Sequence, residues 1–453
     1  MVASILEEER FSNEMAAVKN ETMAVDSAPL LPTSGSSPAR SVSDRFLSAT
    51  GRRVSAEARK LIPLLRSQAW ESERLTHLTP AALEALAAAG IFKMTMPLEW
   101  GGTALGARDL VEVISTVAEG DGSVGWYAFV GVGLRNALML DQRAVDEIAA
   151  NAAAHVGPLV VGASVFATTV GAARRVDGGW MVKGKWAFGS GCRHAPYALV
   201  GIEFDPAHGS GRGVCVLERS QYEIVDDWHV MGLAGTSSNG LRAAEEVFVP
   251  DYRFLDLAEV PARLETVRDQ YSGPAFRQSG PALLLVVSLS GVAVTLGMAR
   301  GALAAFIEQA PKKKPFNLPY PTVADMPSVH VAAGRAQAMI DAAAAMIEGW
   351  ACEVDARSEA DRSFAPDEEP QITLSLAYAS SLCEEAINHL QTTLGSSTVS
   401  LNNPIQRFVR DARVLNSHGA LRLDPQAEIV GRRLLGLEPF LMMGGAVPDV
   451  AAR

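Results

Sequence analysis

The sequence predicts a mainly α protein with a central β domain, ordered as an N-terminal helical domain, a middle antiparallel β domain and a C-terminal four-helix bundle. Three observations predict it. Apolar residues recur at helical spacing through roughly 43–155, and again from about 270 to the end. Between them, from about 156, short runs alternate apolar and polar residues and are separated by turn residues, the pattern of a small sheet. Four long helical stretches close the chain, enough for a bundle. The expected divisions are a leader at 1–42, a helical domain at 43–155, a β domain at 156–260 and a bundle at 261–453.

The leader mixes acidic residues with Ser, Pro, Ala and Gly (SAPLLPTSGSSPARS) and cannot bury enough apolar area to fold alone, so it is expected to be mobile. LTPAALEALAAAGIF (78–92) opens on Thr-Pro and closes on Ala-Gly, the start and stop signals of a helix. DLVEVISTVAEG (109–120) and DQRAVDEIAANAAA (141–154) repeat helical spacing. ARRVDGGWMVKGKWAFGSG turns on Asp-Gly-Gly and reads as a hairpin. YALVGIEF, GVCVLERS, YEIVDDWHV and AEEVFVP continue the sheet. The bundle helices are expected over about 277–310, 325–357, 371–395 and 404–436. The apolar stretch at 281–299 contains Ser288, Ser290, Gly291, Thr295 and Gly297 and is read as a helix buried in the bundle, not as a membrane span.

Composition removes several function classes. The net charge of −11 argues against a nucleic-acid or anionic-membrane partner. Cys192, Cys215, Cys352 and Cys383 are scattered, which excludes close-spaced zinc and redox motifs and fits a reducing cytoplasm. The N-terminus MVASILEEER lacks the features of a signal peptide. The dinucleotide fingerprint, P-loop, HExxH, paired Glu-x-x-His and GxSxG motifs are missing, so metal, kinase, Rossmann dehydrogenase and α/β-hydrolase readings weaken. No metal site is expected.

Several stretches taken together resemble the acyl-CoA dehydrogenase superfamily. They are IFKMTMPLEWGGTALG (91–106), AEGDGSVGW (118–126), VKGKWAFGSGCRHAPYALVG (182–201), VMGLAGTSSNGLRAAEEVFVP (230–250) and RDARVLNSHGALRLDP (410–425), the last resembling the final long helix. Their order and spacing carry the resemblance, which covers about residues 43–440. Within the superfamily the chain is similar to the flavin-dependent monooxygenases of two-component systems. That resemblance implies reduced FMN or FAD supplied by a separate flavin reductase, O₂ as co-substrate, a C4a-hydroperoxide as oxygen donor, hydroxylation of a small aromatic substrate, and a homotetramer built through the bundle.

A dehydrogenase of this superfamily needs a carboxylate base. One usual position lies nine residues beyond the arginine of the RDA motif, which is Gly419 here; the other lies on the first bundle helix, where 271–291 contains no Asp or Glu. His418 stands beside Gly419. The resemblance implies an imidazole facing the reactive part of the flavin, and the other reading is a helix-contact histidine. In WAFGSG (186–191), Phe188, Gly189 and Ser190 suit a flat ring that needs an apolar wall, close backbone approach and a few hydrogen bonds. By resemblance Ser190 lies near flavin N5 or O4; the other reading is a bulged strand. Ser164 and Phe166 match a second flavin-lining strand, and Trp186 reads as core.

Trp126 lines either the pocket or the core. Where relatives carry a polar residue, often His, position 134 is Leu, followed by Arg135 and Asn136, candidates for reading an anionic or hydroxylated substrate. Ala234 stands where relatives often carry Arg, and the loop Gly235–Ser238 is a candidate gate. Arg277 is a candidate for the flavin phosphate, and Arg410 and Asp411 read equally as an ion pair or as site residues. The alternatives are an acyl-CoA dehydrogenase or oxidase with an atypically placed base, an N- or S-oxygenase of the same fold, and a flavin-free interaction scaffold.

Overall fold

A computed structural model describes residues 46–165 and 171–440. The leader expected over 1–42, and Phe166, lie outside the described residues.

Helix α1 (Ala49–Leu75) starts where Ser48 Oγ accepts the Gly51 N–H at 2.9 Å, and Ser48 is itself anchored to Asp109. Helix α2 (Pro80–Ala88) has Thr79 as its cap and Pro80 in its first turn, as the Thr-Pro signal predicts, and the chain leaves it through Gly90 in the left-handed region, φ 79°. Helix α3 (Ala107–Ala118) is buried on every side, which is why its helical pattern carries so few surface residues. Helix α4 (Gly122–Gly131), capped by Asp121, follows; then come the single turn α5 (Leu134–Ala137) and α6 (Gln142–Ala152).

The sheet contains β1 (Val160–Ala163), β2 (Gly171–Val176), β3 (Gly179–Trp186), β4 (Tyr197–Phe204), β5 (Arg212–Glu218), β6 (Glu223–Ile224), β7 (Leu241–Pro250) and β8 (Phe254–Asp256). Its order is β6-β7-β3-β2-β4-β5-β8, with β1 also joined to β4. The β2–β3 hairpin pairs Val176 with Gly179 around Asp177-Gly178, as read from the sequence. The expectation of an antiparallel sheet needs one correction. β4 runs parallel to both β1 and β2, because the chain crosses over through 187–196 before re-entering the sheet. The other pairings are antiparallel. Trp186 is fully buried and donates from Nε1 to Gly201 O at 2.7 Å, which makes it core.

Helix α7 (Val260–Gln270) leads to the C-terminal helices α8 (Gly280–Gln309), α9 (Pro327–Glu359) and α10 (Glu368–Leu394). Residues 289–299 of α8 are buried without interruption, so its apolar stretch is the centre of the helical layer. Helix α8 packs on α9, α10 and α3. A Cβ on Gly297 would lie 2.1 Å from Ser115 O, so glycine permits that close approach of α8 to α3. The last helix, expected to run unbroken over 404–436, is instead two: α11 (Pro404–Asn416) and α12 (Leu423–Leu434). Asn416, Ser417 and Gly419 are poor helix formers. Ser417 Oγ turns back to Val414 O at 2.6 Å, and the N–H groups of Leu421 and Arg422 both return to His418 O, so the chain pivots at His418.

Candidate functional site

Two loops at neighbouring strand ends lie side by side. The segment after β3 is clipped to the loop before β7 by Gly189 N–H to Asn239 O (3.0 Å) and Gly191 N–H to Thr236 O (2.9 Å). The second loop needs left-handed backbone at Leu233 and Ser237, and the first at Phe188 and Gly191. Phe188 is 68% exposed and meets Trp228 edge-on at 6.2 Å; its backbone turns the ring outward instead of into the sheet. Gly189 is buried against Leu241, where a Cβ would lie 3.0 Å from Leu241 Cγ. Ser164 both accepts from Ala187 N–H and donates to Ala187 O, each at 3.1 Å. Its hydroxyl therefore fastens the β1 end to the Phe188 segment and has no proton left for a ligand.

Three of the residues singled out in the sequence converge. Trp126, on α4, donates from Nε1 to Ser190 Oγ at 3.0 Å. Its ring meets the His418 ring at 5.5 Å between centroids, edge to face, and packs on Phe129 at 4.6 Å. The two readings of Trp126 thus merge: it is 8% exposed and it also joins the other two residues. Ser190 Oγ lies 2.7 Å from Ser238 Oγ, which lies 2.8 Å from Thr236 Oγ1.

The His418 ring keeps solvent-exposed surface, yet burial by the surrounding protein lowers its pKa below the usual value. His418 is therefore neutral at pH 7. Its Nδ1 accepts the Ala420 N–H at 3.4 Å, which places the ring proton on Nε2. Gly419 has open space where a side chain would project. Gly291 of α8 lets the turn seat close by, since a Cβ there would lie 3.2 Å from Leu421.

Arg135 is 5% exposed and has no carboxylate partner among the described residues. It bonds Gln278 Oε1 through Nη1 and lies over Phe276 at 5.7 Å. Burial alone pushes its pKa down to about 9. The Arg135 Nε, Gln278 Nε2 and Ser279 Oγ atoms lack partners. All three can donate, so this spot is rich in unused N–H and O–H and suits an anion or a phenol oxygen. Asn136 is half-buried beside it in sequence. Arg277 is exposed, and its guanidinium has no ion-pair or hydrogen-bond partner among the described residues. Among the described residues no hydrogen bond, ion pair or ring contact links Arg135 or Arg277 to the Trp126–Ser190–His418 group.

The RDA segment is structural. Arg410 grips Glu73 of α1 with Nη1–Oε1 at 2.7 Å and Nη2–Oε2 at 3.0 Å, and Arg407 adds a 3.1 Å bond. Arg410 also donates to Met231 O. Asp411 accepts the Leu233 N–H at 2.6 Å. Of the two readings of Arg410 and Asp411, an ion pair or site residues, the structural one applies in another form: their bonds go not to each other but tie α11 to α1 and to the 231–239 loop. Burial raises Asp411 to about 7 and Asp121 to about 6, each carboxyl further raised by nearby acids, and the Oδ2 of each lacks a hydrogen-bond partner. Glu73 and Gln278 were not assigned roles from the sequence, and Thr236 and Ser238 entered it only as part of the candidate gate Gly235–Ser238. The Gly-Ser character shared by 189–191 and 235–240 was the one available signal for the hydroxyl contacts.

A flavin ring fits this arrangement: an outward-facing aromatic at Phe188, a hydroxyl with a spare lone pair at Ser190, and an exposed imidazole beside Trp126 at His418. Residues 289–423 match the family described as acyl-CoA dehydrogenase, C-terminal domain. Over 395 residues the chain is 31% identical to HsaA, the oxygenase subunit of a flavin-dependent monooxygenase from Mycobacterium tuberculosis, spanning 85% of this chain and 96% of that protein. It is 29% identical to the oxygenase component of an FADH(2)-dependent resorcinol hydroxylase from a Rhizobium species, over 83% and 92%. The crystal structure of the M. tuberculosis HsaA monooxygenase superposes with a TM-score of 0.74 at 30% identity, over 87% of this chain and 99% of that one.

Proposed function

The chain belongs to the oxygenase subunits of flavin-dependent monooxygenases, which carry the acyl-CoA dehydrogenase fold, and from that premise we propose that it hydroxylates a small aromatic substrate using reduced flavin delivered by a separate reductase. The observation that carries the reading is the meeting of Ser190, Trp126 and His418, with glycine beside the imidazole where a dehydrogenase would need a carboxylate.

Bound reduced flavin supplies the two electrons that split O₂, one oxygen atom going to the substrate and the other to water. The chain's residues do the rest. Ser190, held by Trp126, presents its oxygen to the polar edge of the ring. Phe188, Trp126 and Phe129 keep the reacting face apolar and limit water entry. Neutral His418, its Nδ1 taken by the Ala420 N–H, holds a proton at Nε2. Arg277, exposed and unpaired, is available to the flavin phosphate. Arg135, with Gln278, favours substrates that bring an anionic or hydroxyl oxygen, and Asn136 lines the same end.

The four cysteines are free thiols, in keeping with a cytoplasmic enzyme. Apolar side chains exposed on the C-terminal helices (Ile307, Val331, Tyr378, Leu434 and Leu435) supply a surface for the homotetramer.

The test is turnover of a panel of phenols by the purified protein with a flavin reductase, NADH and either FMN or FAD. Hydroxylated product that requires the reductase is expected. Reduction of added flavin by an acyl-CoA, with no reductase present, would overturn the reading in favour of a dehydrogenase.

A further inference from the structure

A hydroxyl has one proton to give and two lone pairs to accept with. That count fixes the direction of every hydrogen bond reaching Ser190. Leu233 O can only accept, so the Thr236 proton, 2.6 Å away, is spent there. Thr236 Oγ1 must then accept in its 2.8 Å contact with Ser238 Oγ, which spends the Ser238 proton. Ser238 Oγ in turn accepts at 2.7 Å from Ser190, which spends the Ser190 proton. Trp126 Nε1 can only donate, and gives its proton to Ser190. All four side chains are at least nine-tenths buried, so water does not rearrange the chain. Reversing it would leave two oxygens 2.6 Å apart with no proton between them.

Ser190 is therefore left with one lone pair and no proton. We propose that Thr236 and Ser238 are positioning residues that make Ser190 an obligate hydrogen-bond acceptor, so that the site selects a flavin whose N5 bears a proton over one whose N5 bears a lone pair. Reduced flavin carries that N5–H and oxidised flavin does not. The same polarity decides between the two flavin atoms Ser190 could serve. O4 only accepts, so an acceptor-only Ser190 faces N5. The inference rests on the reading that flavin docks against Ser190, and it adds the origin of redox-state preference: a relay that begins 46 positions further along the sequence, at Thr236.

The test is the anaerobic dissociation constant of reduced and of oxidised flavin for the unmodified protein and for Ser190→Ala, Ser238→Ala and Ser238→Thr, with melting curves to verify folding. Ser238→Ala frees the Ser190 proton, so the preference for reduced over oxidised flavin falls by about five- to tenfold, the size of one neutral hydrogen bond. Ser238→Thr keeps the hydroxyl and restores the preference. Where Ser238→Ala does not fold, Thr236→Val breaks the chain one link further out and gives the same loss. A preference unchanged within twofold in Ser238→Ala, while Ser190→Ala changes it, overturns the relay and leaves the docking site standing. A loss in Ser238→Ala that Ser238→Thr does not restore also overturns the relay. No change in either affinity in any variant overturns the docking site and the relay together.

Discussion

Replacing Glu73 by glutamine tests how the site is held. Glu73 is about one-fifth exposed and receives three charge-assisted bonds from two arginines, Arg410 at 2.7 and 3.0 Å and Arg407 at 3.1 Å. Burial alone would raise its pKa; the Arg410 and Arg407 bonds outweigh that and lower it. Glutamine keeps one oxygen and turns an NH₂ toward a guanidinium, which leaves Arg407 and Arg410, themselves mostly buried, short of a counter-charge. Breaking a buried ion pair costs about 3–5 kcal/mol, and partial exposure reduces that to about 2–3 kcal/mol here. For a folded unit this large, at about 1–2 °C per kcal/mol, the melting temperature should fall by about 2–6 °C. Glu71, on the same helix, pairs with Arg74 at the surface with both side chains more than 40% exposed, so Glu71→Gln should leave the melting temperature within about 1 °C. A depressed carboxylate pKa adds stability above its unfolded value and loses it as pH falls through the folded value. The gap between Glu73→Gln and the unmodified protein should therefore close as the buffer is taken below about pH 4.5. Because Arg410 also holds Met231 O, Glu73→Gln should loosen the 231–239 loop and raise the fraction of O₂ released as H₂O₂. Calorimetry and a peroxide assay read both effects. Equal melting temperatures for Glu73→Gln and Glu71→Gln would refute the view that this network clamps the loop.

Other substitutions give sharp expectations. Asp411 and Asp121 have folded pKa values raised above the unfolded ones, so the native state binds more protons between about pH 4 and 7, and stability from this pair declines as pH rises through that window. Asp411→Asn keeps an acceptor for the Leu233 N–H and should flatten the fall in melting temperature between pH 5 and pH 8; an unchanged slope would contradict the raised pKa of the buried Asp411 carboxyl. Arg135→Met should leave the melting temperature unchanged or higher, since it removes a desolvated charge without a counter-ion, while raising KM about tenfold or more for substrates with an anionic oxygen; equal KM values would remove Arg135 from the substrate end. Gly297→Ala forces a methyl against Ser115 O and should cost about 2–3 kcal/mol by chemical denaturation, whereas Gly334→Ala, with open space around it, should cost nothing.

How much of this was legible in the sequence follows from the range over which each feature is encoded. Local signals performed well. Thr79-Pro80 started α2, Asp177-Gly178 made the β2–β3 hairpin, and the long apolar run gave the buried helix α8. The break at Ser417–Arg422 was written in Asn416, Ser417 and Gly419, but the amphipathic periodicity of α11 and α12 spans it and masked it. The parallel pairing of β4 depends on a crossover, which alternation along a strand cannot reveal. His418, Ser190 and Trp126 were chosen by resemblance, and their meeting could not have come from spacing, since 64 positions separate Trp126 from Ser190. Ser164 and Phe188 were read as neighbours of one ring, yet only the structure tells that Ser164 binds Ala187 and that Phe188 points outward. The Glu73–Arg410 clamp joins residues 337 positions apart; Arg410 stood out in its motif, but Glu73 reads as an ordinary helix-surface charge and nothing in the sequence names it as the partner.

The account depends most on where reduced flavin sits. A crystal structure of the complex formed with reduced flavin under anaerobic conditions tests this directly. The isoalloxazine should lie with N5 against Ser190 Oγ, one face toward Phe188 and the reactive edge toward His418. A ring bound elsewhere, or one whose N5 meets a carboxylate instead of Ser190, would contradict it.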